Sequence, residues 1–352
     1  MSAENNREEE KKEEENILKT LKDICCHDVY GSIIFNSEGS AIANLILYPY
    51  LLKENNKIKD LNSIPEVKGR LEDYLNKQTS IIIHAVYGFY LHALLKIDEH
   101  WTKDMIPKIF PKDRVEHFWG AWCAYVQATY LYDKAYSLLR DIYAYAIENI
   151  KYDAELECYK ALIHHLADLY GLGIISLDDD IFRKFWEKAN DDVREEFISY
   201  VGQYLLKYEL PDAVIHRFKT LWEWRMSYIK DLSNRRDFQK ELKSFIHWFV
   251  SERFDDKWAL ENLIKTVELV DEITEEHVYL ALDVLVEMAN EFPELVLRYL
   301  DLLTHRASES ILKYKITITN RIEEISNILE SKGRSDLEEE LKKIKKRIEK
   351  DK

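Results

Sequence analysis

The alternation of apolar and polar positions reads as helix along almost the whole chain. Amphipathic runs fall at roughly 16–28, 41–54, 67–77, 79–97, 114–129, 131–149 and 153–171. They resume at about 178–189, 191–208, 211–230, 235–253, 257–270, 275–291, 292–304, 308–331 and 335–350. Two faces are drawn most plainly. Tyr279, Leu282, Val286 and Ala289 follow three-four-three spacing, and Phe292, Val296, Tyr299 and Leu303 follow four-three-four, with Pro293 between them in a first helical turn. Lys313–Thr319 alternates like a strand, but its flanks are helical and helix is the expectation there too. The non-helical stretches are a charged tail at 1–15, a loop or short hairpin from Tyr30 to Ser40, a linker at 55–66, and Lys103–Lys112 with its two prolines. Gly171 and Gly173 end one helix and Ser176–Asp179 opens the next; Ser335 and Glu338 form a capping box for the last.

Helix pairs of this length in succession predict an all-α chain, an α-solenoid of stacked antiparallel pairs of the HEAT or tetratricopeptide sort. The break after Gly173 divides it into subdomains 16–173 and 174–352, behind the charged tail 1–15. No motif recurs at a fixed period, so the expectation rests on helix lengths. Only 9 Gly and 6 Pro among 352 residues leave few tight turns, which agrees with long helices. Hydrophobic residues at 46% fill a sizeable core, and the 22 Tyr and 8 Trp suit seams between helices.

A net charge of −15 argues against general nucleic-acid binding, because phosphate contacts need a basic face. Thr79–Leu95 carries no formal charge but is short for a span and holds His84 and His92; a buried central helix is expected, not a membrane segment. Cys25, Cys26, Cys123 and Cys158 form no CxxC and read as reduced thiols; with no signal peptide at the start, a cytoplasmic location is expected.

Motifs for catalysis are missing. There is no phosphate-cradling P-loop, no dinucleotide GxGxxG and no GxSxG elbow, so no cofactor is expected. No metal is expected either. His84, His92 and His100 lie about 12 Å apart per step along a helix, and the adjacent His164 and His165 point roughly 100° apart. Asp178–Asp180 reads as a helix start, where acids complement the dipole. Glu241 and Lys243 match a Glu-x-Lys nuclease signature without its strand. Arg298 and His305 resemble the RNA-cleaving pair of all-helical HEPN ribonucleases, in which Arg and His stabilise and protonate the scissile phosphate. Tyr299 stands where that family prefers a small polar residue.

The aromatic positions carry the remaining signal. Trp222 and Trp224, Trp248 and Trp258 gather in the third quarter, and Trp119 and Trp122 precede them; they read as core or protein-interface aromatics. A broader likeness runs through them. His117–Trp122, Arg140–Ala146, Leu221–Arg225, Phe245–Phe249, Phe254–Trp258, Ala289–Pro293 and Leu300–Leu303 come in an order that resembles the C-terminal helical-repeat region of prokaryotic STAND-type NTPases and related antiviral defence proteins. The likeness covers roughly residues 110–350. It implies a non-catalytic sensor or scaffold whose partner is an NTPase or effector subunit or a viral protein. It supplies no catalytic residues, and the NTPase and effector are not in this sequence. A structural oligomerisation subunit is the other alternative, joined through Leu337, Leu341, Ile344 and Ile348, a stripe that could equally dock on the preceding helix.

Overall fold

The structure is a computed structural model and describes residues 36–77, 80–128, 133–149, 158–306 and 315–350. The charged tail, the first predicted helix and Cys25–Cys26 lie outside the described residues. No strand occurs among the described residues, and helices pack against helices throughout. The chain forms two compact units, Met1–Asp168 with Asp179–Lys188, and Leu169–Asp178 with Ala189–Lys352. No helix among the described residues is long and apolar enough to cross a membrane.

In the first unit the helices are α1 (Ser37–Glu54), α2 (Pro65–Lys77), α3 (Ile81–Phe89), α4 (Leu91–Ile97), α5 (Glu99–Ile109), α6 (Val115–Ala128), α7 (Asp133–Asn149), most of α8 (Cys158–Leu172) and α9 (Asp180–Lys188). Helix α1 begins earlier than its apolar pattern. The Asn36 side chain accepts from the backbone N–H of Glu38 and Gly39, which supplies the missing first-turn partners. The uncharged run 79–97 is two helices, not one. Tyr90 has ψ of 16°, well off the helical value, and separates α3 from α4. The break expected over Lys103–Lys112 comes late: Pro107 lies inside the last turn of α5, and the chain leaves the helix only at Phe110–Arg114, around Pro111. The ladder resumes beyond Pro107, with Phe110 N–H donating to Ile106. Helices α3 and α6 make the closest crossing. A Cβ on Gly88 would lie 2.0 Å from the Ala121 carbonyl oxygen, and one on Gly120 would lie 2.5 Å from Ile81 Cγ2. Both positions need a residue without a side chain.

The second unit holds the end of α8, then α10 (Asp191–Gln203), α11 (Asp212–Lys230), α12 (Gln239–Ser244), α13 (Ile246–Phe249), α14 (Asp256–Val267), α15 (Glu275–Met288), α16 (Pro293–Arg306), α17 (Lys315–Ser331) and α18 (Ser335–Lys350). Gly173 has φ of +75° at the end of α8, the left-handed conformation that ends a helix cheaply. Packing runs from each helix to the next but one. Contacts link α10 to α12 and α13, α12 to α14, α14 to α16 and α16 to α18. A second row runs α13, α15, α17, and α11 packs on α14. The hairpins α15–α16 and α17–α18 tie the rows together. Rows of this kind are the solenoid-like stacking expected of helix pairs.

Three details differ from the sequence pattern. The run 235–253 is broken into a 3-10 turn at Arg236–Phe238 followed by α12 and α13. There α10 presses close: a Cβ on Gly202 would lie 2.6 Å from His247 Cβ. On α15 the buried face is Val278, Ala281, Leu282, Leu285 and Met288, so Tyr279 stands outside it and is exposed. Lys315–Thr319 is helical, because Ile318, Ile322, Ile325 and Leu329 bury one face of α17. On α18, Leu337, Leu341 and Ile344 are buried against α16 and α17. The Ile348 side chain lies outside the described residues.

Candidate functional site

Of the tryptophans singled out by sequence, Trp222, Trp248 and Trp258 come together in the second unit, where α11 brings two kinds of side chain inward at helical spacing. Trp222 is fully buried. Its ring stacks on Phe245 at 4.9 Å and meets Trp248 and Trp258 edge-on at 5.8 and 5.6 Å. Such pairs contribute about 0.5–1.5 kcal/mol each beyond burial. Every indole N–H in this group has an acceptor. Trp222 donates to Thr266 Oγ1 at 3.0 Å, Trp248 to the Ile198 carbonyl at 2.8 Å, and Trp258 to Glu223 at 2.8 Å. Trp248 is buried, whereas Trp224 and Trp258 are half-buried.

Three residues beyond Trp222, Arg225 enters an ion cluster. Its guanidinium grips Glu241 with Nε–Oε1 of 2.5 Å and a second bond of 2.9 Å to Oε2. Arg194 approaches the same carboxylate from α10, Nε to Oε2 at 2.8 Å. All three side chains are buried. Asp191 completes the group: its carboxylate accepts the backbone N–H of Lys240 and Glu241 at the start of α12, a charged helix cap. Phe238 covers the Arg194 guanidinium at 4.3 Å. Burial lowers the Arg194 pKa from its ordinary value. The Glu-x-Lys signature therefore has a structural setting. Glu241 is fully enclosed by two guanidiniums on a helix and faces no open space in which a substrate could reach it.

Between α11 and α14 lies an open groove of about 410 Å³. Helix α11 lines it with Glu223, Met226 and Lys230, and α14 and the turn after it with Lys265, Glu268 and Leu269. Met226 and Leu269 make its apolar part. The two acids are already engaged, Glu223 by the Trp258 indole and Glu268 by an ion pair with Arg298. Lys230 and Lys265 are exposed, and neither ammonium has a carboxylate partner among the described residues.

Arg298 and His305 both lie on α16, two turns apart, which puts them on one face. Each is exposed and each is drawn elsewhere. Arg298 pairs with Glu268. The His305 Nδ1 donates to the Asp301 carbonyl at 2.8 Å, and Arg347, bound to the Asp301 carboxylate at 2.7 Å, places a guanidinium nitrogen 3.2 Å from Nε2. The pair lines neither groove. A smaller hollow of about 100 Å³ gathers Glu252, Asp256, Glu287 and Glu291. Among the described residues no group of three or more His, Cys, Asp or Glu is arranged to hold a metal ion.

In the first unit Trp122 is fully buried and Trp119, half-buried, meets Phe118 at 5.2 Å. Around Trp122 runs a buried hydrogen-bonded line, Tyr125 OH to Tyr143 OH at 3.3 Å and Tyr143 OH to His165 Nδ1 at 2.8 Å. Burial pushes the Tyr125 hydroxyl up to about 12, so the line stays protonated near neutrality. Cys123 and Cys158 are buried and in no disulfide among the described residues. Asp179 accepts the Ile181 N–H at the start of α9 and holds Arg140 at 2.9 Å, so the acidic run caps a helix and anchors a guanidinium. No protein-family model and no curated protein matches the chain.

The groove and the ion cluster were beyond sequence reasoning. Their residues come from stretches separated by 16 to 50 positions in sequence, with no shared motif. The only trace was helical spacing on each side: Glu223, Met226 and Lys230 on one helix, and Lys265 and Leu269 on the other.

Proposed function

We propose that this chain is a non-catalytic helical-repeat protein that binds protein partners, and that it serves as the sensor or scaffold part of a prokaryotic antiviral defence NTPase system. The observation that supports it is the next-but-one packing of helices in the second unit. Stacking of this kind buries one side of each helix and leaves successive outer faces as one surface for a partner. The tryptophans sit inside that stack as its packing, and the polar residues of the buried cluster are all engaged with one another, so neither group is set aside for chemistry. The defence setting and the class of partner, an NTPase or effector subunit or a viral protein, rest on the family resemblance of residues 110–350. A cytoplasmic location belongs to the same reading.

Affinity capture of the tagged chain from its host, before and during viral challenge, tests this reading. Recovery of an NTPase, a nuclease subunit or a viral protein is the expected result. Recovery of the bait alone overturns it. The purified chain is expected to turn over neither RNA nor nucleotide. Turnover that His305→Ala abolishes while helicity persists would replace the scaffold with the ribonuclease.

A further inference from the structure

We infer that the groove between α11 and α14 is a docking site for an acidic peptide segment of a partner protein, one carrying carboxylates on either side of an apolar side chain. This rests on the protein-binding function proposed above and names the partner's chemistry and its place of binding.

The argument is one of charge set against the rest of the molecule. The chain carries −15 overall, so an anionic partner is repelled by most of its surface. The groove is an exception. Lys230 and Lys265 line it and have no carboxylate partner among the described residues. Its two acids are spoken for by groups on the protein, Glu223 by the Trp258 N–H at 2.8 Å and Glu268 by Arg298. Lys219 adds a further cation, its ammonium 4.6 Å over the Trp258 ring. Two unpaired ammonium groups thus line the groove, while of its two carboxylates Glu268 is neutralised by Arg298 and Glu223 holds the Trp258 indole. A basic peptide would have to displace Trp258 and Arg298 from those acids, whereas an acidic one meets ammonium groups already open to it.

The apolar part selects more than charge. Met226 and Leu269 lie between the lysines' helices, and Met adapts to side chains of different shape. A volume of about 410 Å³, open to solvent along the helices, admits a peptide side chain with its backbone and does not enclose a small molecule. The walls are firm: Met226 is buried and touches Thr266 through its sulfur, and Thr266 is fixed by Trp222 and by the Asn262 carbonyl. The groove is therefore preformed on the Trp222 core, and binding need not order it.

The test is fluorescence anisotropy of the full chain with a fluorescein-labelled peptide of Glu and Leu, against Lys/Leu and Ser/Leu peptides of the same length. Saturable binding of the Glu/Leu peptide alone, weakened by salt, is expected. The double variant Lys230→Glu/Lys265→Glu should bind it at least about tenfold more weakly, with unchanged helicity since both positions are exposed. A second double variant, Lys343→Glu/Lys346→Glu on α18, changes net charge by the same amount away from the groove and should bind within about twofold of the parent. The inference is overturned if the Glu/Leu peptide does not bind, if the Lys/Leu peptide binds as well, or if both double variants lose binding equally. It separates from the broader function. A captured partner that still binds Lys230→Glu/Lys265→Glu overturns the groove and leaves the scaffold standing. Groove-dependent peptide binding with no NTPase, nuclease subunit or viral protein captured upholds the groove and overturns the defence setting.

Discussion

The two units bury aromatic rings in comparable number but differ in how many buried polar atoms they leave without a partner. In the second unit the indole N–H groups of Trp222, Trp248 and Trp258 each reach an acceptor, and a buried carboxylate is shared by two guanidiniums. In the first, His84 Nε2, His92 Nδ1, both ring nitrogens of His117 and Trp122 Nε1 have no hydrogen-bond partner among the described residues. Tyr299 OH and Arg194 Nε, which pairs with Glu241 at 2.8 Å by charge without hydrogen-bond geometry, are the second unit's exceptions among the described residues. The difference follows from how the seams are made. Helices α3 and α6 meet through Gly88 and Gly120, and the rings of His84 and His117 touch edge to face between them at 4.8 Å, a contact that gives their unpartnered ring nitrogens no acceptor. Helices α11, α13 and α14 pack instead through the large rings of Trp222, Trp248 and Trp258, and Thr266 and Glu223 reach the indoles of Trp222 and Trp258. The first kind of seam gains dispersion contacts and leaves donors stranded; the second satisfies them and depends on charge.

The charge dependence gives the largest expected effect. Glu241→Ala strands two buried guanidiniums and should cost about 3–5 kcal/mol in urea denaturation. Replacing Arg194, Glu241 and Arg225 together by apolar residues should recover most of that loss. If Glu241→Ala were silent, the second unit would not depend on its ions.

Acid should act next, on both units through buried histidines, with His84 in the first and His277 in the second shifted furthest. His84 donates from Nδ1 to the Ile109 carbonyl at 3.0 Å, and burial outweighs that bond and lowers its pKa to about 4 from 6.5. Burial, with Lys243 and His247 nearby, lowers His277 in the same way to about 4. A histidine whose folded pKa is depressed binds more protons unfolded. Its full contribution is present above pH 6.5 and is lost as pH falls from 6.5 toward 4. Each is worth up to about 3 kcal/mol over that window. Melting followed from pH 7 to pH 4 should show the loss, and His84→Gln should flatten the first unit's share of it.

Gly88→Ala sharpens the contrast in seam geometry. The new Cβ would fall 2.0 Å from a backbone oxygen that no rotamer change can move. A loss of about 1–3 kcal/mol is expected. Gly69→Ala, with nothing within 4 Å of its Cβ, should be neutral or slightly stabilising, as helix propensity alone decides there.

Sequence carried the all-helical class and most helix positions because apolar periodicity and caps are local. The buried faces of α16 and α18 match their stripes at Val296, Tyr299 and Leu303, and at Leu337, Leu341 and Ile344. Where the pattern misled, tertiary packing decided. Pro107 was tolerated within α5, and Gly202 let α10 press on the 235–253 run where it breaks. The Lys313–Thr319 alternation resembles a strand only because Tyr314, Ile316 and Ile318 happen to alternate with polar residues; Ile318 is also the first member of a helical stripe. The ion cluster was illegible for another reason. Arg194 and Glu241 meet across 47 positions, and nothing local distinguishes these two from the other charged residues.

The smallest effect isolates the polar contrast itself. Trp122→Phe and Trp222→Phe remove the same atoms from two fully buried sites. The cavity terms are therefore similar, about 1–3 kcal/mol. The N–H terms are not. Trp222 gives up a bond to Thr266 Oγ1, which keeps its own donation to Asn262 at 2.7 Å but loses an incoming donor. Trp122 gives up an N–H with no acceptor, which relieves a desolvated donor. Trp222→Phe should therefore be the more destabilising by about 1–2 kcal/mol in urea denaturation of the full chain. Thr266→Val checks the assignment from the other side, since it strands the Trp222 N–H and should cost about 1 kcal/mol while leaving ring packing intact. Equal losses in the two phenylalanine variants, with Thr266→Val silent, would mean that ring packing alone sets the stability of both seams and that the contrast in hydrogen bonding has no energetic weight.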